Sequence, residues 1–276
     1  MNISNFPLVS IIIPFYNHNH FIKQTLDSIL QDTYPNKAIV IINDGSSDPD
    51  DSNILKWLQE NSSSIETTYI KRENKGLTKT LNELIGLAKG KYICLCASDD
   101  YLINNTLTKR VEILENQPNK KVLISDNIVI DDASNILYNS NLFEMRKGRK
   151  SNYYSDFGLK YELIKRWGLS GACFIANKDI YDIIGKYDES LTVEDWDFFL
   201  RAVAKNLIVF YDEKVSAYRL HQNSTNKNPD QQKRMTLDLA STAKNNIKNF
   251  KSPYFKYLLW KRSRRALKGL KRLCQI

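Results

Sequence analysis

The chain has 276 residues, 42% hydrophobic and 26% charged, with 40 lysines and arginines against 31 acids and a formal net charge of +9. One large or two small domains fit that length, and neither a leader-like N-terminus nor a run of about 18 apolar residues points to export or a spanning helix. The four cysteines (Cys94, Cys96, Cys173, Cys274) lack zinc spacing, and reduced thiols in a cytoplasmic protein are expected.

The apolar, β-branched run Leu8 to Ile13 predicts a buried strand that stops at Pro14, Phe15, Tyr16 and Asn17. An amphipathic helix follows, with Asn19 as its cap and Ile22, Leu26, Ile29 and Leu30 as its stripe. A second strand, Ala38 to Ile42, runs into Asn43, Asp44, Gly45 and Ser46. The next helix, about 50–60, carries Ile54, Leu55 and Leu58. Thr67 to Arg72 reads as a strand, and a third helix opens after Gly76. That helix buries Leu77, Leu81, Leu84, Ile85 and Ala88 and stops at Gly90 as a C′ glycine. The strand from Tyr92 to Ala97 ends in Asp99 and Asp100. Such alternation predicts a parallel sheet whose loops at Asn17, Asp44 and Asp99–Asp100 open on one edge. Two adjacent carboxylates repel unless water, a cation or hydrogen bonds offset them. A solvated turn satisfies that demand, and so does a hard divalent cation holding a diphosphate.

Five segments in order carry a resemblance: Val9 to Asn17, Ile42 to Asp48, Asn74 to Gly76, Ala97 to Asp100, and Glu194 to Asp197. Together they resemble the successive signatures of glycosyltransferase family 2, over about residues 8–222. The resemblance implies the GT-A fold, a Rossmann-like mixed α/β sheet flanked by helices, and transfer of sugar from a nucleotide donor with inversion. It implies a nucleotide-sugar half at about 1–126, an acceptor half at about 127–225, and a helical appendage at 226–276. Pro14, Tyr16, Asn17, Asp44, Arg72, Lys75, Gly76 and Asp99 are then expected at the nucleotide sugar, most simply a UDP-sugar. Asp44 suits the imide N–H of the base, and a turn role fits it equally. Asp100 is expected to ligate Mn²⁺ or Mg²⁺, with Asp99 reaching the ribose and the metal's surroundings. His221 resembles a histidine that completes the metal or diphosphate site in some GT-A enzymes. Many members carry a further Asp where this chain has Ala97.

An acceptor hydroxyl attacks poorly unless a base takes its proton. Acids in a helix's first turn are ordinary for Glu194, Asp195 and Asp197, ahead of a stripe of Phe199, Leu200 and Val203. The resemblance instead assigns Asp195 as base and Glu194 as its orienting partner. Trp196 and Gly171 are expected at the acceptor sugar, and 145–156 as a mobile loop beside it. A sugar nucleotidyltransferase would want a glycine-rich phosphate loop after the first strand, which is absent here. A non-catalytic nucleotide-sugar-binding module would leave Glu194 and Asp195 without a purpose.

Residues 251–276 hold nine basic residues and no acid, leaving 1–250 neutral. As a helix, Phe255, Leu259, Ala266, Leu270 and Leu273 share a face, with Arg264, Arg265, Lys268, Lys271 and Arg272 broadly opposite. This predicts an interfacial helix on an anionic membrane, against the alternative of a helix packed on the domain with a solvated basic face. No reader module supports a nucleic-acid partner. The expectation is a cytoplasmic enzyme lying peripherally on the inner membrane face. Its acceptor would be a glycan or polyprenyl-diphosphate-linked saccharide, as in O-antigen or capsule assembly.

Overall fold

The computed structural model describes residues 6–47, 51–103, 105–220 and 229–273. Strands β1 (Val9–Phe15), β2 (Lys37–Asp44), β3 (Glu66–Arg72) and β4 (Tyr92–Leu95) are parallel, in the order β3-β2-β1-β4. They alternate with helices α1 (Asn19–Gln31), α2 (Ser52–Asn61) and α3 (Leu77–Leu87). The apolar runs are unbroken because both sheet faces are covered. Ile11 and Ile13 pack with Ile22, Leu26, Ile29, Ile54 and Trp57, whereas Ile12, Val40 and Ile42 pack with Leu81, Leu84 and Ile85.

The sheet continues with opposite sense. Strand β8 (Phe174–Asn177) pairs antiparallel with β4 and with β6 (Val122–Ile130), which runs parallel to β9 (Ile208–Arg219). The short β5 (Tyr101–Leu102) borders β9, and β7 (Ile136–Tyr138) pairs with β6. The expected division near residue 126 falls inside β6, so the two expected halves would share one sheet. Helices α4 (Leu107–Asn116), α5 (Asp156–Lys165), α6 (Ile180–Ile184) and α7 (Glu194–Ala204) flank it, followed by α8 (Pro229–Asn246) and α9 (Pro253–Leu273).

Several local expectations are corrected. Asn19 lies inside the first turn of α1 and caps nothing; its Oδ1 has no hydrogen-bond partner among the described residues. Leu55 and Leu77 face solvent, while Trp57 is buried and donates Nε1–H to Asp27 Oδ1 at 2.7 Å. Gly90 is no left-handed cap. A Cβ there would meet Leu8 O and Ser10 N at 2.6 Å, so glycine is required by its close approach to β1. Segment 145–156 is folded: Lys150–Tyr154 forms a 3₁₀ turn whose Tyr153 is buried among Phe143 and Phe210. Phe255 and Leu259 are buried in the main core, so the first half of α9 turns its apolar stripe toward the protein, not toward lipid.

Candidate active site

Three loops at the carboxyl ends of β1, β2 and β4 meet. Asn17 takes a left-handed conformation (φ 56°), donates its N–H to Ser46 Oγ at 3.0 Å and accepts from Ser47 N–H at 2.8 Å. Pro14 follows the stretch of β1 that pairs with β4, so its missing N–H costs no ladder bond on that side. Tyr16 is exposed at this end. At Gly45 (φ +70°) a Cβ would lie 2.5 Å from Asn74 N, so β2's loop can cross the 73–76 segment only as glycine.

Asp44 is buried beneath that crossing. Its carboxylate pairs with Arg72 and accepts from the N–H groups of Lys75 (2.8 Å) and Gly76 (3.0 Å). Arg72 also donates to Glu83 (3.0 Å) and Thr80 (2.9 Å). Gly76 (φ +87°) opens α3, and Lys75 Nζ lies 3.6 Å from Glu83. The structure thus ties Asp44, Arg72, Lys75 and Gly76 into one network.

The acidic turn is held from two sides. Thr25 Oγ1 donates to Ser98 O (3.0 Å) and Asp100 O (2.7 Å). Arg219, 1% exposed at the end of β9, donates its backbone N–H to Asp100 Oδ1 and its Nε–H to Asp99 O, each at 2.9 Å. Its fork continues to Asp131 O, Asp132 O and Gln24 Oε1, and its face covers the Phe21 ring at 4.4 Å. Asp100 is 2% exposed, and burial together with Asp99 pushes its carboxyl well above the usual range. Asp99 is the more open of the two, with Oδ1 3.8 Å from His18 Nδ1, which also hydrogen-bonds with Ser98 Oγ at 2.9 Å. Among the described residues no three metal-ligating side chains gather, and His221 lies outside them.

The other acid pair opens α7, in its first turn. Glu194 is buried and Asp195 half-buried, its Oδ1 accepting from Trp196 N–H at 2.6 Å. Burial, then the Glu194 charge, raises Asp195 well above the ordinary carboxylate. Glu194 is itself raised by burial. Tyr218 is half-buried on β9, and its hydroxyl is raised to about 12 by burial and by the fields of Asp100, Asp99 and Asp195, against Arg146.

Trp196 is corrected from acceptor floor to core. It is fully buried, its Nε1–H donates to Leu163 O at 2.8 Å, and the Arg262 guanidinium lies 5.7 Å from its ring centroid. Asp197 is structural, bridging Arg201 (2.7 Å) and Asn246 (2.7 Å). Gly171 begins the short 3₁₀ turn that enters β8. Sequence reasoning passed over Arg219 and His18. An arginine ending an otherwise half-apolar strand was the available signal for the first, and for the second its place directly after Asn17.

Residues 10–185 match the family model described as "Glycosyl transferase family 2". An uncharacterized glycosyltransferase of Rickettsia prowazekii (strain Madrid E) is 31% identical over 221 residues, covering 79% of this chain. The chain spans only 66% of that relative's length. Among solved structures, residues 1–349 of Staphylococcus aureus TarS superpose with TM-score 0.68 at 18% identity, over 96% of this chain and 72% of that one. A mannosyltransferase of Pyrobaculum calidifontis in complex with GDP-Man and Mn²⁺ gives TM-score 0.66 at 17% identity, over 98% and 76%. These likenesses show the fold, a GT-A fold.

Proposed function

The chain belongs to glycosyl transferase family 2, and from that membership we propose that it transfers a sugar from a nucleoside diphosphate donor to an acceptor hydroxyl, with inversion at the anomeric carbon. The observation that supports this most is the meeting of the Asn17, Asp44 and Asp99–Asp100 loops at the carboxyl ends of β1, β2 and β4, one acid group, beside the Glu194–Asp195 turn that opens α7, the other. Donor chemistry belongs to the first group and acceptor activation to the second. TarS with UDP-GlcNAc and the mannosyltransferase with GDP-Man are fold neighbours that bind nucleotide sugars, which favours a donor of that class.

In this reading Asn17, Asp44, Arg72 and the 74–76 backbone cradle base and ribose, with Tyr16 and Pro14 bounding the opening. Asp99 and the second oxygen of Asp100 suit Mn²⁺ or Mg²⁺, because both are hard oxygen donors whose mutual repulsion a cation relieves. When bound, such a cation supplies charge that stabilises the departing diphosphate. Asp195 takes the proton of the attacking hydroxyl, and its raised affinity for protons suits a base better than an ordinary carboxylate. Glu194 sustains that shift by its adjacent charge.

The acceptor proposed is a glycan or lipid-linked saccharide, in bacterial surface-polysaccharide assembly. No described helix is long and apolar enough to cross a membrane. The membrane contact proposed is the outward row Tyr254, Tyr257 and Trp260 of α9, flanked by exposed Lys256, Arg264 and Lys268. Interfacial aromatics and cations worth about 1 kcal/mol each near anionic lipid would hold it there. Incubation with a panel of UDP- and GDP-sugars tests the activity, through acceptor-independent release of nucleoside diphosphate. Failure to bind or cleave any of them, with cation present, would overturn the reading.

A further inference from the structure

Helices α5 and α9 lie side by side, starting from the same end. Phe157 stacks on Tyr254 at 5.7 Å and meets Phe255 at 4.9 Å, and Lys160 Nζ lies 5.9 Å from the Phe255 ring centroid. About two to three turns further, both helices turn cationic. The last turn of α5 and its C-cap offer Lys165 and Arg166, and α9 offers Lys261, Arg262 and Arg265. A helix C-terminus favours cations, which accounts for the pair on α5 but not for three more brought against it. Glu162 is the acid at this end, and both its oxygens pair with Arg166 at 2.8 and 3.0 Å.

The seam reaches α7 through Trp196, the residue that follows the proposed base in the chain. Arg262 covers the Trp196 ring at 5.7 Å, Trp196 is bonded to Leu163 of α5, and Asp195 precedes it in the chain. Lys165 is lowered by burial and by repulsion from Arg265, Lys261, Arg166 and Arg262, and Arg262 is lowered by burial and by Arg265. Folding has therefore gathered like charges that cost stability unless an anion joins them.

We infer that the cationic seam of Lys165, Lys261, Arg262 and Arg265 is a phosphate subsite, holding the diphosphate of a lipid-linked acceptor whose sugar faces Asp195. This rests on the glycosyl-transfer reading and adds to it the residues that would select the acceptor. Arginine forks and lysine ammonium groups suit phosphate oxygens, and the aromatic end of the seam at Phe157 and Tyr254 suits an isoprenoid chain. A phospholipid headgroup shares the phosphate chemistry, so the test must separate the two sources.

The full chain, saturated with UDP and Mn²⁺, is titrated calorimetrically with farnesyl diphosphate and with farnesol. The same is done for Lys165→Gln/Arg265→Gln, two positions at the rim that leave Arg262 on Trp196. Farnesyl diphosphate is expected to bind, farnesol not to, and the double variant to bind roughly tenfold more weakly with unchanged UDP affinity. Equal affinity in the variant, or farnesol binding as well as its diphosphate, would overturn the subsite. Vesicles containing phosphatidylglycerol form the third arm. If they lose binding in the variant while farnesyl diphosphate never binds, the seam serves the bilayer and the acceptor assignment falls. If the parent chain binds no UDP, the donor reading falls, while the variant difference for farnesyl diphosphate still judges the seam.

Discussion

Arg219 donates its backbone N–H to Asp100 Oδ1 at 2.9 Å across 119 residues of sequence, and its side chain holds the Asp99 carbonyl at the same distance. The end of β9 thus sets the acidic turn, and Asp100 is a structural acceptor as well as a proposed cation ligand. His221 follows two residues later, outside the described residues.

Arg219→Met should remove five side-chain hydrogen bonds, four to carbonyl and amide oxygens and one to Ser134 Oγ, while keeping part of the stem. With about 1–3 kcal/mol for each buried acceptor left unpaired, we expect a melting temperature lower by many degrees. Arg219→Lys should recover part of the stability but not UDP affinity, because an ammonium cannot span Asp99 and Asp131 together. Normal UDP binding in Arg219→Lys would remove the positioning role.

The two acids should separate. Asp99→Asn is expected to weaken UDP binding in Mn²⁺ sharply with little change in melting temperature, since Asp99 is the more open carboxylate. Asp100→Asn should weaken UDP binding too and also shift stability, because its Oδ1 is bonded to Arg219. Calorimetry with and without EDTA, beside thermal melts, reads both. UDP affinity indifferent to EDTA and to both substitutions would rule out the cation role.

Transfer should depend on pH through Asp195. Its carboxyl is raised well above 3.8, so kcat/KM should climb as pH rises through that raised value, where the base becomes charged. Stability runs the other way. A carboxyl raised in the fold holds its proton longer than in the unfolded chain, so stability falls between 3.8 and the raised value. Asp195→Asn should lose roughly 10²–10⁴ in transfer, flatten the rising limb and melt higher at neutral pH. A near-normal rate in this variant, with Glu194→Gln inactive, would move the base to Glu194.

Gly45→Ala tests the crossing of loops. The new methyl would meet Asn74 N at 2.5 Å from a left-handed backbone, and neither strand of the crossing is a flexible side-chain end. A loss of about 1–3 kcal/mol and weaker UDP binding are expected, because Asp44 is bonded to the 75–76 backbone next to that contact. Unchanged denaturant midpoint and UDP affinity would show that the crossing can open freely.

The two faces of α9 should behave differently. Leu259→Ala empties a fully buried position and should cost about 2–5 kcal/mol. Tyr257→Ser/Trp260→Ser removes exposed rings and should leave the melting temperature nearly unchanged while sedimentation with anionic vesicles drops. Vesicle binding that survives the double substitution, or is absent in the parent chain, would remove the membrane role.

Local pattern determined much of this protein. Four β-branched runs separated by amphipathic helices specify parallel strands covered on both faces, and a strand's carboxyl end is a physical place where polar loops collect. The expected strands at Leu8–Ile13, Ala38–Ile42 and Tyr92–Ala97 therefore lie close to β1, β2 and β4, and the loops of Asn17, Asp44 and Asp99 meet as the topology requires. What local pattern leaves open is which side of an amphipathic element finds a partner. Leu55 and Trp57 are both apolar, yet only Trp57 reaches Asp27 and the core. Gly90 carries the signature of a helix stop, but its meaning came from β1 passing within reach of its missing Cβ. Phe255 and Leu259 form a stripe equally suited to lipid or to protein, and packing in the main core decided for the protein. Arg219 showed locally only as an arginine ending a half-apolar strand, and Arg262 as one of many tail cations; each takes its role from contacts made across the fold, with the Asp99–Asp100 turn and with Trp196. Periodicity reports that a face will be buried; only the closed fold says against what.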